Sequence, residues 1–96
     1  MAILFDPGQV VTTRGINDRM YSDADFHMFV LASFSRHVAG DWGDMCDEDK
    51  FSNDEAVKDG HLRIFSAYIY AKGGTKIWII TEADRSATTV LFPDEY

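Results

Sequence analysis

The sequence predicts an α+β fold: an antiparallel sheet of three to four strands, a C-terminal meander plus an N-terminal strand, packed by one long helix and a second, acidic helix. Strand-forming residues are dense between Thr75 and Phe92 and recur from Leu62 to Ala71, and turn formers separate the runs. Upstream, Ser22 opens a helical pattern that continues to Val38. Ninety-six residues suit one hydrophobic core, so we expect a single domain over 1–96.

The C-terminal part is predicted to be a meander of three antiparallel strands. Leu62 to Ala71 carries apolar groups on both alternating faces, which is typical of a central strand. Lys72-Gly73-Gly74-Thr75 has hairpin-turn chemistry and leads into a second strand, Ile77 to Thr81. The polar residues Glu82 to Ser86 then form the turn before the third strand, Thr88 to Phe92.

Near the N-terminus, Gln9 to Thr13 predicts the strand that completes the sheet. Ile3 to Phe5 allow another short strand before the turn sequence Asp6-Pro7-Gly8. Gly15 to Tyr21 is expected to be a helical turn or a loop, because its glycine, asparagine and aspartate favour local alternatives to a helix.

The long helix has a clear start and stop. Ser22 is the predicted N-cap, Asp23 and Asp25 lie where the helix dipole favours acids, and Gly40 ends the helix. The residues predicted to face the sheet at i, i+3, i+4 spacing are Phe26, Phe29, Val30, Ser33, Phe34 and His37. Met28 and Leu31 lie off this stripe, so we expect another helix or subunit to cover them.

Composition limits the setting of the protein. A single cysteine, Cys46, excludes an intramolecular disulfide and a cysteine-based metal cluster within one chain, and a reducing cytoplasm fits best. The N-terminal run Met1 to Gly8 has neither a positively charged region nor a small-residue cleavage site, so we do not expect secretion. No apolar run approaches the roughly 20 residues of a membrane span.

The segment Asp41 to Asp59 holds most of the net charge. Its eight acids and two lysines carry −6 of the formal −7. We expect a mostly polar helix capped by Asp47, with Phe51, Ala56 and Val57 as its apolar contacts. Such a run is usually a solvated helix face, but it also suits a surface that imitates the phosphate backbone and fits a basic groove. The same sign disfavours direct nucleic-acid binding.

Side chains able to bind a metal or to act as nucleophiles crowd into the same region. They are His37, Asp41, Asp44, Cys46, Asp47 and Asp49. Their spacing matches no ligand motif, and Ser52 stands where a calcium loop requires glycine, so we expect no metal, no cofactor and no catalytic residue. A Cys46 and His37 pair is disfavoured because a reactive thiolate needs positive neighbours. A hydrolase using His37 with Asp41 or Asp44 is the remaining enzymatic hypothesis.

Two other features have open alternatives. Trp42 is either a core anchor at the corner after the long helix or an exposed aromatic on an interaction surface, and burial is favoured because an indole dominates local packing. Asp84, Arg85 and Ser86 suit anion recognition or a surface ion pair, but a solvated turn is favoured.

Several long strings carry a resemblance. They are H-V-A-G-D-W-G-D (His37 to Asp44), D-E-D-K (Asp47 to Lys50), S-A-Y (Ser66 to Tyr68), K-I-W-I-I-T-E-A-D-R-S-A-T-T-V-L-F-P-D-E-Y (Lys76 to Tyr96) and G-Q-V-V-T-T near the start. In them the sequence resembles a family of small proteins of unknown activity that recur on plasmids, prophages and integrated elements of bacteria. The resemblance implies a mobile element inside a bacterium, where small acidic proteins often block CRISPR or restriction complexes.

Charge and resemblance together give the leading hypothesis. It is a non-enzymatic, anti-CRISPR-like inhibitor encoded by a mobile genetic element, which binds the basic groove of a nucleic-acid-handling host defence complex through an acidic, nucleic-acid-mimicking surface. The residues expected to contact the partner are Asp41, Trp42, Asp44, Asp47, Glu48, Asp49, Asp54 and Glu55. The alternative is a small regulatory module of the element, a homodimer using Met28 and Leu31, with no inhibitory role.

Overall fold

The computed structural model describes residues 3–96, so the first two residues of the N-terminal run lie outside it. It is an α+β structure with three helices and one four-stranded sheet. The elements in chain order are β1 (Gln9–Thr12), α1 (Arg14–Ser22), α2 (Ala24–Val38), α3 (Asp47–Asp59), β2 (Ile64–Ile69), β3 (Lys76–Thr81), β4 (Ala87–Leu91) and a final 3-10 turn (Pro93–Glu95).

The sheet is mixed, and the prediction that it is antiparallel throughout is wrong. Its order is β1-β4-β3-β2, and β2, β3 and β4 form the predicted antiparallel meander. β1 instead runs parallel to β4, with Val10 beside Thr88. A hairpin turn fixes the relative direction of the two strands that it joins, but β1 is joined to β4 by no turn, so no local signal encodes its direction.

The segment after β1 is a nine-residue helix, longer than the helical turn or loop expected there. Thr13 is its N-cap and accepts a hydrogen bond from the Ile16 amide, and Ile16 is fully buried. The Glu95 carboxylate accepts from the Thr13 hydroxyl (2.6 Å) and from the Gly15 amide (3.0 Å). These tertiary contacts override the weak helix propensity of the segment.

The long helix lies where it was predicted, but it begins one residue later. Asp23 is the N-cap and accepts from the Phe26 amide, whereas Ser22 ends α1. The predicted stripe is confirmed: Phe26, Val30, Ser33 and His37 are buried, and Phe29 and Phe34 are half-buried.

Two clusters of side chains form the core. The larger joins α1 and α2 to the sheet through Ile16, Phe26, Val30, Tyr68, Tyr70, Ile77, Ile79 and Val90. The smaller lies under α3 and consists of Trp42, Ala56 and Ile64, with Phe5, Met45 and Val57 packed against it. Residues 3–5 form no strand, but the Leu4 amide donates to the Val38 carbonyl (2.8 Å) and brings Phe5 into this cluster.

None of the helices within residues 3–96 combines the length and the apolar character that crossing a lipid bilayer requires.

Candidate interaction surface on the acidic helix

α3 forms at the position predicted for the acidic helix. Its first turn carries Asp47, Glu48 and Asp49, whose negative charges are favourable beside the amide end of the helix dipole. Cys46 is the N-cap and makes no side-chain capping bond, so the prediction that Asp47 caps the helix is wrong. Gly60 ends it in the left-handed conformation, as expected (φ 76°).

Two polar side chains fix α3 to the protein. The amide of Asn53 donates to the Phe65 carbonyl (2.6 Å) and accepts from the Phe65 amide (3.1 Å), so it pairs with β2 as a neighbouring strand would. The indole N–H of Trp42 donates to Asp54 (2.9 Å). α3 is therefore held in one orientation against the β2 edge, and its opposite face lies in solvent.

Arg85 fixes the other end of α3. It lies in the turn between β3 and β4 with φ +61°, and its guanidinium donates to the carbonyls of Ala56 (2.9 Å) and Leu62 (2.7 Å). The expectation of a merely solvated turn is wrong for this side chain, because it ties the turn to the C-terminal end of α3.

The solvent face of α3 centres on a phenylalanine. Phe51 is 64% exposed, although it was expected to be one of the helix's apolar contacts. Residues three or four positions away lie on the same helix face. Those around Phe51 are Asp47, Glu48, Asp54 and Glu55. We call this group of five residues the acidic face; one of them, Asp54, also accepts from the indole N–H of the buried Trp42.

Three of the eight residues expected to contact a partner form internal ion pairs. Asp41 pairs with Arg36 (2.7 Å), Asp44 with Lys76 (3.2 Å) and Glu55 with Lys58 (3.7 Å). The Arg36 guanidinium lowers the pKa of Asp41 below its ordinary value. These pairs reduce the free negative charge at the edges of the segment.

The first turn of α3 keeps its charge. Among residues 3–96, no lysine, arginine or histidine forms an ion pair with Asp47, Glu48 or Asp49, and all three are exposed. Three adjacent carboxylates without an ion-pair partner in the described part of the chain therefore lie at this turn.

Trp42 is a core residue, as the favoured interpretation held. It is 3% exposed and packs against the rings of Phe5 (6.3 Å between centroids) and His37 (5.9 Å). Its indole N–H is already bonded to Asp54. The expectation that Trp42 contacts a partner as an apolar anchor is therefore corrected, because the side chain does not reach the surface.

His37 takes part in a buried chain of hydrogen bonds. Thr88 donates to the Pro7 carbonyl (2.7 Å), so it accepts from Thr81 (2.7 Å), which in turn accepts from Nε2 of His37 (2.8 Å). Nδ1 is left to accept from the Ser66 hydroxyl. The direction of these bonds makes Nε2 a donor, and burial lowers the pKa of His37 to about 3, so the imidazole is neutral.

This chain separates His37 from its predicted catalytic partners. Both ring nitrogens are bonded to hydroxyls, the ring is fully buried, and Asp41 pairs with Arg36. Cys46 is exposed and takes no part in the hydrogen bonds around His37. The structure does not bring together the pairs on which the hydrolase and nucleophile hypotheses depended.

An open groove of about 390 Å³ runs beside α3, between the helix and the outer face of β2. It is lined by Met45, Asp49, Ser52, Asn53, Arg63 and Phe65. Within residues 3–96, no three His, Cys, Asp or Glu side chains are grouped so that they hold a metal ion.

Comparison of the chain with models of known protein families, with curated proteins and with solved structures gives no match.

Proposed function

We propose that this chain is a non-enzymatic inhibitor encoded by a mobile genetic element, and that it acts in the bacterial cytoplasm. Its target is a nucleic-acid-handling host defence complex of the CRISPR or restriction type. The acidic face of α3 and the neighbouring Asp49 occupy a basic groove of that complex in place of its nucleic acid. The mobile-element setting rests on the resemblance of the Lys76 to Tyr96 string to small proteins of bacterial plasmids, prophages and integrated elements.

The observation that carries the proposal is the unpaired charge of the first turn of α3. Asp47, Glu48 and Asp49 project from a helix whose orientation is fixed by Asn53, Trp42 and Arg85. Carboxylates held on a rigid element present a fixed pattern of negative charge without a large loss of entropy on binding. A polyanion-binding groove offers the complementary potential.

Phe51 supplies the apolar contact that was first assigned to Trp42. Interfaces commonly combine a central aromatic residue, which is desolvated on binding, with a polar rim that sets orientation. Phe51 is exposed at the centre of the acidic face, with the carboxylates around it. This arrangement favours a protein partner, because a protein surface can bury the ring as well as pair with the carboxylates.

The proposal is tested by phage challenge. Bacteria with a panel of active CRISPR or restriction systems express the chain, and the efficiency of plating of a targeted phage is measured. We expect the wild-type chain to restore plating against at least one system. The variant D47N/E48Q/D49N removes three charges without placing cations beside the helix dipole, and it should lose about tenfold or more of this effect. Phe51→Ala should lose a comparable share.

The matched control carries the same change of charge elsewhere. D18N/D25N/D94N removes three exposed acids outside the segment and should inhibit as the wild type does. With the purified partner, the association rate of the wild type should fall as salt rises, and that of D47N/E48Q/D49N should depend on salt less. The proposal is contradicted if the wild-type chain restores phage plating against no system, or if D47N/E48Q/D49N restores it fully.

The second candidate is a homodimeric regulatory module without an inhibitory role. Met28 and Leu31 favour it, since they are 65% and 49% exposed on the outer side of α2 and no element of residues 3–96 covers them. Two results together would support the module over the inhibitor. The Met28→Lys variant becomes monomeric, and the wild-type chain restores phage plating against no defence system.

A further inference from the structure

β1 forms an open edge of the sheet. It pairs with β4 on one side, and no strand of residues 3–96 lies on the other. All four of its residues are exposed, with Val10 at 48% and Val11 at 37%. An exposed edge of this kind is a template for pairing with another strand.

The free backbone groups of β1 belong to Val10 and Thr12. The Gln9 amide donates to the Ser86 carbonyl (3.1 Å) and the Thr13 amide to the Val90 carbonyl (3.0 Å), so the odd-numbered residues face β4. Alternation along a strand then points the N–H and C=O groups of Val10 and Thr12 away from the sheet. Two donors and two acceptors are thus placed symmetrically about Val11.

We propose that β1 pairs edge to edge with β1 of a second copy of this chain, in antiparallel orientation. The two-fold axis passes between the two Val11 residues, which lie opposite each other. Val10 of each copy then lies opposite Thr12 of the other, and each opposed pair exchanges two hydrogen bonds. This register uses every outward group of the strand. The two sheets become one sheet of eight strands, with the two Val11 side chains in contact on the axis.

The charge distribution favours a second copy at this edge. Copies of a chain with charge −7 repel each other, but −6 of that charge lies in Asp41 to Asp59. Asn53 joins this segment to β2, the far edge of the sheet. β1 itself carries no charged residue. The exposed Asp6 and Arg14, which flank it on either side, have opposite charges, and Arg14 also pairs with Asp18 of its own helix (3.9 Å).

The dimer places its two acidic helices at opposite ends. Seven strand spacings of about 4.8 Å separate the two β2 strands by roughly 34 Å, and each α3 lies beyond its own β2. The two negative fields are therefore separated by several Debye lengths at physiological salt. The association does not depend on the proposed inhibitory role.

The oligomeric state of the purified chain tests the proposal. Sedimentation equilibrium or light scattering across a concentration series should show a monomer–dimer equilibrium. Val11→Lys brings two ammonium groups together on the axis and should weaken dimerisation about tenfold or more. The matched control is Ile69→Lys, which changes an aliphatic residue of similar exposure (49%) on the opposite edge strand and should leave the equilibrium unchanged.

Cross-linking tests the register. In a Cys46→Ser background, Val11→Cys places two sulfur atoms on the axis, where Cα atoms of a non-hydrogen-bonded pair lie about 4.5 Å apart and a disulfide forms readily. Val10→Cys faces Thr12 of the other copy and should not cross-link. A chain that stays monomeric at its highest soluble concentration overturns the proposal. A dimer that survives Val11→Lys but is lost in Met28→Lys also overturns it.

Discussion

The two edge strands of the sheet differ in whether their outward backbone groups are hydrogen-bonded. At β2, the Asp44 amide donates to the Ala67 carbonyl (2.7 Å), the Ala67 amide donates to the Trp42 carbonyl (3.3 Å), and Asn53 binds both backbone groups of Phe65. At β1, the outward groups of Val10 and Thr12 have no such cover. The protein thus closes the edge beside its acidic helix and leaves open the edge that is almost neutral.

The difference shows that an edge strand is closed by specific hydrogen-bonding groups placed opposite it, and not by burial alone. β2 uses one glycine bridge and one side-chain amide, each placed opposite a pair of backbone groups. The buried chain from Ser66 through His37, Thr81 and Thr88 to Pro7 links β2 to the residues just before β1. The same interior hydrogen bonds therefore connect the two sides of the sheet.

Acid should break the link between the edges and produce the largest effect. The unfolded chain protonates His37 near pH 6.5, but the folded chain does so only near pH 3, so stability is full above pH 6.5 and falls as pH drops toward 3. Each pH unit in this window costs about 1.4 kcal/mol, or roughly 4–5 kcal/mol overall. Urea unfolding between pH 7.5 and 5 should show about 2 kcal/mol of this loss.

The H27Q/H61Q variant, in which His37 is the remaining histidine, is the control for acid destabilisation. Its slope between pH 6.5 and 5 should match that of the wild type, because the two replaced side chains are exposed. A slope near zero in this variant would show that His37 is not the source. Titration of the carboxylates with lowered pKa values, such as Asp23 and Glu95, enters only at lower pH.

Gly43→Ala should open the closed edge at a cost of about 3 kcal/mol. Gly43 has φ +74°, and an added Cβ would lie 2.1 Å from the Ala67 carbonyl oxygen, so the bridge must separate. Gly74→Ala is the matched control, since its φ is also +74° but nothing lies within 4 Å of the new atom. It should cost only the strain of the backbone, about 1–2 kcal/mol. Equal losses in thermal or urea unfolding would contradict the role assigned to the bridge.

Asn53→Ala should remove the side-chain amide that closes β2, at a cost of about 2 kcal/mol. It leaves the amide and the carbonyl of Phe65 without their partner in a half-buried site. Asn53→Asp is the informative companion, because a carboxylate still accepts from the Phe65 amide but repels its carbonyl. Hydrogen exchange at the Phe65 amide should accelerate in Asn53→Ala and less in Asn53→Asp, which keeps an acceptor for that amide. Unchanged protection in Asn53→Ala would show that another group covers β2.

Val11→Lys should have the smallest effect on stability, below about 0.5 kcal/mol when measured at concentrations where the chain is monomeric. The side chain is at the open edge, and the Val11 backbone groups remain bonded to β4. In this variant the amides of Val10 and Thr12 should exchange faster than those of Phe65 and Ala67. Equal protection at both edges would remove the contrast.

Much of the fold was predictable from local patterns. Hairpin turns and strand-forming residues marked β2, β3 and β4, and the apolar stripe of α2 marked its buried face. The direction of β1 was not predictable, because it follows from pairing with a strand about 80 residues later. α1 was predicted only as a helical turn or a loop for a related reason, since Glu95 and the burial of Ile16 against the core stabilise it through contacts outside its own sequence.

The candidate surface was predictable in its charge but not in its anchor. Composition alone marked Asp41 to Asp59, but the pairing of Asp41 and Asp44 with Arg36 and Lys76 requires three-dimensional proximity. The exposure of Phe51 follows from the buried position of Asn53 and Ala56 on the other side of α3. A signal for this was present, because Asn53 and Ala56 are three residues apart and therefore share a face that excludes Phe51.

The pairing of β1 with β4 also has a consequence for synthesis. The hydrogen bond between Thr13 and Glu95 joins residues 82 positions apart, and that between Thr88 and Pro7 joins residues 81 apart. During translation β1 leaves the ribosome before the other three strands and cannot pair until β4, its partner in the sheet, has emerged. The meander can assemble from neighbouring strands, but β1 joins the sheet only when a long loop closes.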